Sequence, residues 1–294
     1  MAFSMKKWAV ATVAGVLVAG GQAAQAELVY AITFDNNLFS FDSESPQNVL
    51  TGVYVSGLQP NEFIQGIDFR PLTNELYAIG STNRMYVLNT TTGAATPVGS
   101  GPFTPPLNGV AFGVDFNPTV DRIRVHSNAN QNLRLHPVTG AVVAVDPNLY
   151  YAASDSGAGQ DPNIVASAYT NNFAGATTTT LFSIDSVRDV LVRHQLGSGD
   201  PAGSFAEMVT VGPLGVNFGD YSGFDISPSG QAYVHWNNAG GLFGTINLAT
   251  GAVTSRGTMG GGPFVRDIAV VIPEPASLGL MGLAVGGLFV RRRR

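Results

Sequence analysis

One six-residue pattern occurs three times in this chain. Gly66-Ile67-Asp68-Phe69-Arg70-Pro71, Gly113-Val114-Asp115-Phe116-Asn117-Pro118 and Gly223-Phe224-Asp225-Ile226-Ser227-Pro228 each place an aspartate between two apolar residues and close on proline. Each reads as a short strand ending in a turn. A second apolar run follows: Leu76-Tyr77-Ala78-Ile79, Ile123-Arg124-Val125-His126 and Ala232-Tyr233-Val234-His235. A third run ends at Asn89, His136 or Asn247, four residues before Gly93, Gly140 or Gly251, each preceded by threonine. An Asn at the head of such a turn bonds its own backbone two residues on, and glycine accepts the left-handed conformation that closes it. A fourth, shorter strand fits Ala95 to Val98 and Ala252 to Ser255.

Four short antiparallel strands recurring at about 45 to 55 residues are the signature of a β-propeller blade. A degenerate blade fits residues 149 to 197, with Ile164 to Tyr169, Leu181 to Asp185 and Val190 to His194 as strands and no clear innermost one. The body opens with Leu28 to Ile32 and Leu38 to Asp42, a second-type and a third-type strand with no first-type strand before them. The missing one stands at the other end, as Val265-Arg266-Asp267-Ile268-Ala269-Val270. Pairing the two ends completes a blade and leaves no sheet edge at the seam. The expected fold is therefore all-β, a five-bladed propeller with blades centred on residues 30–55, 66–99, 113–145, 150–195 and 223–256. Six blades would follow if the loops near 100–110 or 200–220 hide strands. An open sandwich would not explain the matching ends.

Composition supports this reading. The chain has 36 glycines and 17 prolines, only 12% charged residues, and no cysteine, so neither a disulfide framework nor thiol chemistry is available. Residues 27–272 carry nine arginines, no lysine and nineteen acids, a formal charge of about −10. Phosphate contacts dominate nucleic-acid affinity and need basic surface, so this body argues against a nucleic-acid partner.

The body also resembles a bacterial family known only as a domain of unknown function. The similarity rests on Gly113 to Pro118, Asn132 to Pro137, and Asp161-Pro162-Asn163 leading into Ala168-Tyr169-Thr170. It covers most of residues 27 to 272. The resemblance implies a propeller-like fold and carries no assigned activity.

The two ends read as addresses. Lys6 and Lys7, the apolar run Trp8 to Gly20, and small residues at Ala24 and Ala26 form a secretory signal over residues 1–26, cut by signal peptidase after Ala26. At the other end, residues 273–294 hold Pro273-Glu274-Pro275, an apolar segment over 276–290, and Arg291 to Arg294. This tail is similar to the Pro-Glu-Pro (PEP-CTERM) signal that exosortases handle in Gram-negative bacteria that make exopolysaccharide. Fifteen apolar residues give only ~22 Å of helix, short of a ~30 Å hydrocarbon core, which suits a segment that enters the membrane briefly and is then cut. The resemblance implies an exosortase partner and a destination at the cell surface or in the matrix, with exopolysaccharide as a neighbour.

Asp68, Asp115, Asp225 and Asp267 are read as occupying one equivalent position in four blades, on the strand nearest the axis. A ring of carboxylates there would suit a cation such as calcium, or serve as the paired acids of a glycosidase. Against both, each Asp is expected to accept backbone N–H groups of its own or the next blade. Catalysis needs carboxylates pushed apart by unlike environments, and equivalent positions supply like ones. His126 and His235 fall at matching positions, which suggests a common surface, but no third metal ligand stands at usable spacing. The loop from Asp146 to Asn163 misses the calcium-loop spacing and reads as an ordinary loop. Tyr77, Tyr233, Phe39, Tyr86 and Phe182 fit inter-blade packing better than a sugar platform. The sequence thus points to an exported, non-catalytic structural or binding propeller without a cofactor. A glycan or cation ligand in the channel and a glycan hydrolase stand as alternatives.

Overall fold

In a computed structural model, which describes residues 26–237 and 240–273, the chain forms five mainly antiparallel sheets and no helix among the described residues. The first sheet holds β1 (Leu28–Thr33), β2 (Asn37–Asp42) and β3 (Ser45–Tyr54). The second runs β4 (Ile64–Phe69), β5 (Leu76–Gly80), β6 (Arg84–Leu88), β7 (Ala95–Val98). The third runs β8 (Phe112–Asn117), β9 (Arg122–Ser127), β10 (Asn132–Leu135), β11 (Val142–Val145). The fourth has five strands: β12 (Tyr150–Tyr151), β13 (Ile164–Tyr169), β14 (Leu181–Asp185), β15 (Val190–Gln195) and β16 (Glu207–Pro213). The fifth runs β17 (Ser222–Ile226), β18 (Ala232–Asn237), β19 (Gly241–Ile246), β20 (Val253–Thr258). The last strand, β21 (Val265–Val270), returns to the first sheet and pairs antiparallel with β1, Val29 opposite Val270 and Ala31 opposite Ile268.

Strands β4, β8, β13, β17 and β21 contact one another in turn, so they form the inner ring of a five-bladed propeller. They are buried almost throughout, whereas the outermost β3, β7 and β11 alternate or are exposed. A strand packed on both faces has no solvent side, which is why the inner strands read as near-continuous apolar runs. Glycine allows their close approach. A Cβ on Gly113 would lie 2.5 Å from Ser167 Oγ and 2.6 Å from its backbone nitrogen in the next blade.

The fourth blade departs from expectation in two ways. Its innermost strand is β13, a segment that the sequence marks as a strand without placing it innermost. The segment 200–220 does hide a strand, but β16 is the outer strand of this same blade, pairing with β15, and not part of a sixth. The two-residue β12 then adds to β16 in parallel.

The seams between blades differ in kind. Apolar clusters join blades 1 and 2 around Ile32, Leu38, Ile67 and Ala78, blades 2 and 3 around Tyr77, Met85, Phe116 and Val125, and blades 5 and 1 around Phe41, Tyr233, Phe243 and Ile268. Another joins blades 4 and 5 around Phe182, Phe224 and Trp236. Tyr77, Tyr233, Phe39, Tyr86 and Phe182 are all buried in these clusters. The seam between blades 3 and 4 is instead lined by polar and charged side chains.

Residues 1–25 of the expected signal peptide, Ala24 included, and the apolar segment 276–290 fall outside the described residues, as do Glu274 and Pro275.

Candidate functional site

Three axial acids stand on inner-ring strands β4, β8 and β17. Asp68, Asp115 and Asp225 bring one carboxylate oxygen each to within 4.8 Å of the others, and each residue is 1% exposed. Every one of them reaches forward to the next blade. Asp68 accepts the N–H of Phe116 at 2.6 Å, Asp115 that of Tyr169 at 3.1 Å, and Asp225 that of Val270 at 2.6 Å. Phe116 and Tyr169 directly follow the Asp position of their own strands; on that pattern Val270 does too, so Ala168 and Ala269 stand where the other three blades carry aspartate.

Asp267 therefore is not equivalent to the other three, contrary to the blade alignment read from the sequence. It lies two residues earlier along its strand, opposite Ile32, and accepts the N–H of Ile67 at 2.9 Å. That level belongs to glycine in neighbouring blades. A Cβ on Gly66 would fall 3.0 Å from Asp267 Oδ2, and one on Gly223 2.7 Å from Oδ1, so these glycines make its space. An Asp between an Arg and an Ile reads alike in either register; only strand pairing separates them.

No cation among the described residues forms an ion pair with these four acids. Burial, with Asp225 nearby, pushes Asp68 well above the usual carboxylate range. Burial and the Asp68 charge do the same to Asp115. Burial, with the Glu27 charge adding to it, lifts Asp225 to about 6, and burial with Asp225 nearby holds Asp267 well up. Asp68 Oδ1 is buried without a hydrogen-bond partner. The three carboxylates can share protons, or can surround a cation with M–O distances near ~2.4 Å, for which oxygens up to ~4.8 Å apart are in range.

The polar seam between blades 3 and 4 was not legible in the sequence. Arg124, on β9, is 1% exposed. Its Nη1 donates to Asp146 Oδ2 at 2.8 Å, Asn132 Oδ1 at 2.5 Å and the Ser204 carbonyl at 2.9 Å; Nε donates to Tyr169 Oη at 3.1 Å and Nη2 to the Gly203 carbonyl at 2.6 Å. Arg134 takes the same Asp146 through Nε and Nη2, both at 2.8 Å. A guanidinium survives burial only when its donors are satisfied, and here all three nitrogens are. Asp146 is thus the anchor of two arginines and not an ordinary loop residue. The spacing of 22 residues between Arg124 and Asp146 carries no local signal.

Inward of Arg124, His126 stacks on His194 with ring centroids 4.8 Å apart. The Phe205 carbonyl can only accept, so His194 Nδ1 carries the proton in their 2.7 Å bond. His194 Nε2 then accepts from Ser183 Oγ at 2.7 Å, Ser183 from Ser167 at 2.7 Å, and Ser167 from His126 Nδ1 at 3.0 Å. Burial holds His194 near 3, and burial with His194 alongside holds His126 well below its usual value, so both rings are neutral. His235 is as deeply buried, but it lies in blade 5 beside Gly223 and Asp267. The two histidines that the sequence put on a common surface occupy different seams.

This seam opens at one end into a cleft of about 360 Å³, bordered by Asn117, Arg122, Arg134, Tyr169 and Phe205, with Arg124 as its floor.

A family model described as a domain of unknown function (DUF4394) matches residues 37–269, and one described as the PEP-CTERM protein-sorting motif matches residues 271–294. No curated protein matches the chain. Among solved structures, a protein of unknown function from Bacteroides caccae is similar at 8% identity and a TM-score of 0.50, over 84% of this chain and 99% of that one. The Dos1 propeller is similar at 14% identity and a TM-score of 0.40, over 74% of this chain and 53% of that one. The dihydro-heme d1 dehydrogenase NirN reaches 13% identity and a TM-score of 0.37, over 78% and 42%. At 8% identity the first of these likenesses reaches the fold alone.

Proposed function

Because this chain belongs to the DUF4394 family and carries a PEP-CTERM sorting motif behind that domain, we propose that it is an exported structural or binding propeller of the cell surface or exopolysaccharide matrix, delivered by an exosortase. The sorting motif is the observation that carries this reading. It begins at residue 271, directly after β21. In this reading signal peptidase cuts after Ala26, the segment 276–290 enters the inner membrane, and the basic end stays on the cytoplasmic side. Pairing of β21 with β1 closes the ring and leaves an exported body that needs no disulfide.

The non-catalytic part draws on the axial acids. They are 1–4% exposed, and each accepts a backbone N–H from the following blade. Acids used in that way hold strands together and do not face a substrate, which argues against the hydrolase alternative. The test is the mass of the mature protein from an exopolysaccharide-producing host with and without its exosortase. The expected product begins at Glu27 and has lost the tail only when the exosortase is present. An intact tail in both strains overturns the reading.

A second reading, a divalent cation held by Asp68, Asp115 and Asp225, draws on the buried and unpartnered Asp68 Oδ1. A native-state ligand raises the melting temperature by mass action, by about 2.7 kcal/mol of stability at a hundredfold its Kd. Calcium at pH 8 is expected to raise the melting temperature of the wild type and not of Asp115→Asn. An equal response in both disposes of it.

A further inference from the structure

We propose that the cleft between blades 3 and 4 binds an acidic saccharide, with Arg122 meeting its carboxylate and Phe205 packing on a sugar ring. The inference rests on the cleft alone and stands or falls apart from the sorting reading.

The cleft is basic on an acidic body. Residues 27–272 carry nineteen acids against nine arginines, yet three of those nine, Arg122, Arg124 and Arg134, meet at this one cleft, and no acid is among its described lining residues. Arg124 and Arg134 share the single carboxylate of Asp146, which lies buried beneath them. The neighbouring Asp121 is no counterion for Arg122, because its carboxylate is taken by Arg70, at 2.8 Å from Nε and 2.5 Å from Nη2. Arg122 donates only through Nη1, to the Val120 and Asp121 carbonyls, and among the described residues it has no carboxylate partner. Arg134 spends Nε and Nη2 on Asp146, which leaves Nη1 for a ligand. A local field of this sign on an acidic molecule selects anions.

Shape and chemistry narrow the anion. About 360 Å³ is near the lower end of small-molecule sites and far larger than a bare phosphate or sulfate needs. Tyr169 Oη accepts from Arg124, and the fully buried ring helps hold that guanidinium at the base of the cleft. Asn117 Oδ1 accepts from Thr119 N and Oγ1, which leaves its amide N–H₂ for another acceptor. These donors suit a carboxylate with hydroxyls around it.

Phe205 supplies the apolar side. It is half-buried and held at φ +49°, a strained conformation that a bulky side chain rarely adopts. Its carbonyl is fixed by His194 Nδ1, and its ring meets Tyr169 edge-on at 6.2 Å with the Arg124 guanidinium 5.8 Å away. A strained aromatic fixed by a buried hydrogen-bond ladder and left half-open to a basic cleft is a ready platform for the C–H face of a sugar.

The test is calorimetric titration of the exported protein with a tetramer of a 1→4-linked uronic acid, alongside a neutral 1→4-linked glucose tetramer and inorganic phosphate. The uronate tetramer is expected to bind, and to weaken as salt rises. Arg122→Gln should weaken it at least tenfold. Phe205→Gly should do the same in a protein that still melts cooperatively, because glycine accepts φ +49° without strain and so offsets part of the packing lost with the ring. Equal binding of the neutral tetramer, no loss in either variant, phosphate binding as tightly as the tetramer, or no uronate binding at millimolar concentration each overturns the proposal.

Discussion

Asp68, Asp115 and Asp225 stabilise the ring as hydrogen-bond acceptors and oppose it as charges. Their folded pKa values lie above the unfolded value of ~3.9, Asp225 at about 6 and the others well raised by burial and by one another. A group of this kind is more protonated in the folded state, so the stability it lends is complete below ~4 and is lost as pH climbs through the folded value. The buried histidines work the other way. His126, His194 and His235 stay neutral when folded and protonate in the unfolded chain below ~6.5, so they lower stability in acid. Comparing a variant with the wild type cancels the histidines. Asp115→Asn keeps an oxygen for the Tyr169 N–H and removes one charge. It is expected to match the wild type near pH 3.5 and to exceed it by about 1–3 kcal/mol at pH 8, read from denaturant melts. A difference that does not grow with pH contradicts the account.

At the scale of the element, the turn between the third and fourth strands binds blade to blade. Gly140 closes that turn in blade 3 at φ +69°, and a Cβ there would stand 2.5 Å from the Val98 carbonyl oxygen at the outer edge of blade 2. Gly93 and Gly251 repeat the arrangement against Tyr54 and Gly212. Gly230 offers the comparison, with φ +87° and open space around it. Gly230→Ala should cost about 1–2 kcal/mol for the left-handed backbone alone. Gly140→Ala should cost at least about twice that, since a backbone carbonyl must also move, and differential scanning calorimetry separates the two. The turn itself was legible, because Thr-Gly at a fixed distance from a strand end is local chemistry. Its second role was not, because Val98 and Gly140 are brought together by blade stacking. The same divide runs through the rest. Hairpin strands such as Leu76–Gly80 and Arg84–Leu88 announce themselves by apolar runs and turns. Glu207–Pro213 follows a Gly- and Pro-bearing loop, is only partly buried, and joins its sheet late, so it read as loop. Asp267 carried the right residue type in a register that only pairing could reveal. Arg124 read as the polar member of a strand and is the most enclosed charge in the seam.

The whole molecule is a ring whose first blade is assembled from both ends of the domain. That much could be read from the chain alone, because the missing first strand at Leu28 and the surplus strand at Val265 have complementary types. The polar seam could not, since an alignment of blades compares like positions along the chain and a seam is made from unlike positions on neighbouring blades. The inner strand of that first blade ends at Val270, and the sorting motif begins at residue 271. A body tethered through this end would feel every tug of flow or neighbouring polymer along β21 itself. Such a pull runs parallel to the strand, so the rungs to β1 and the clasps from Asp225 to Val270 and from Asp267 to Ile67 are loaded together and must give way as one. The strand that seals the circle would then also be its mooring line.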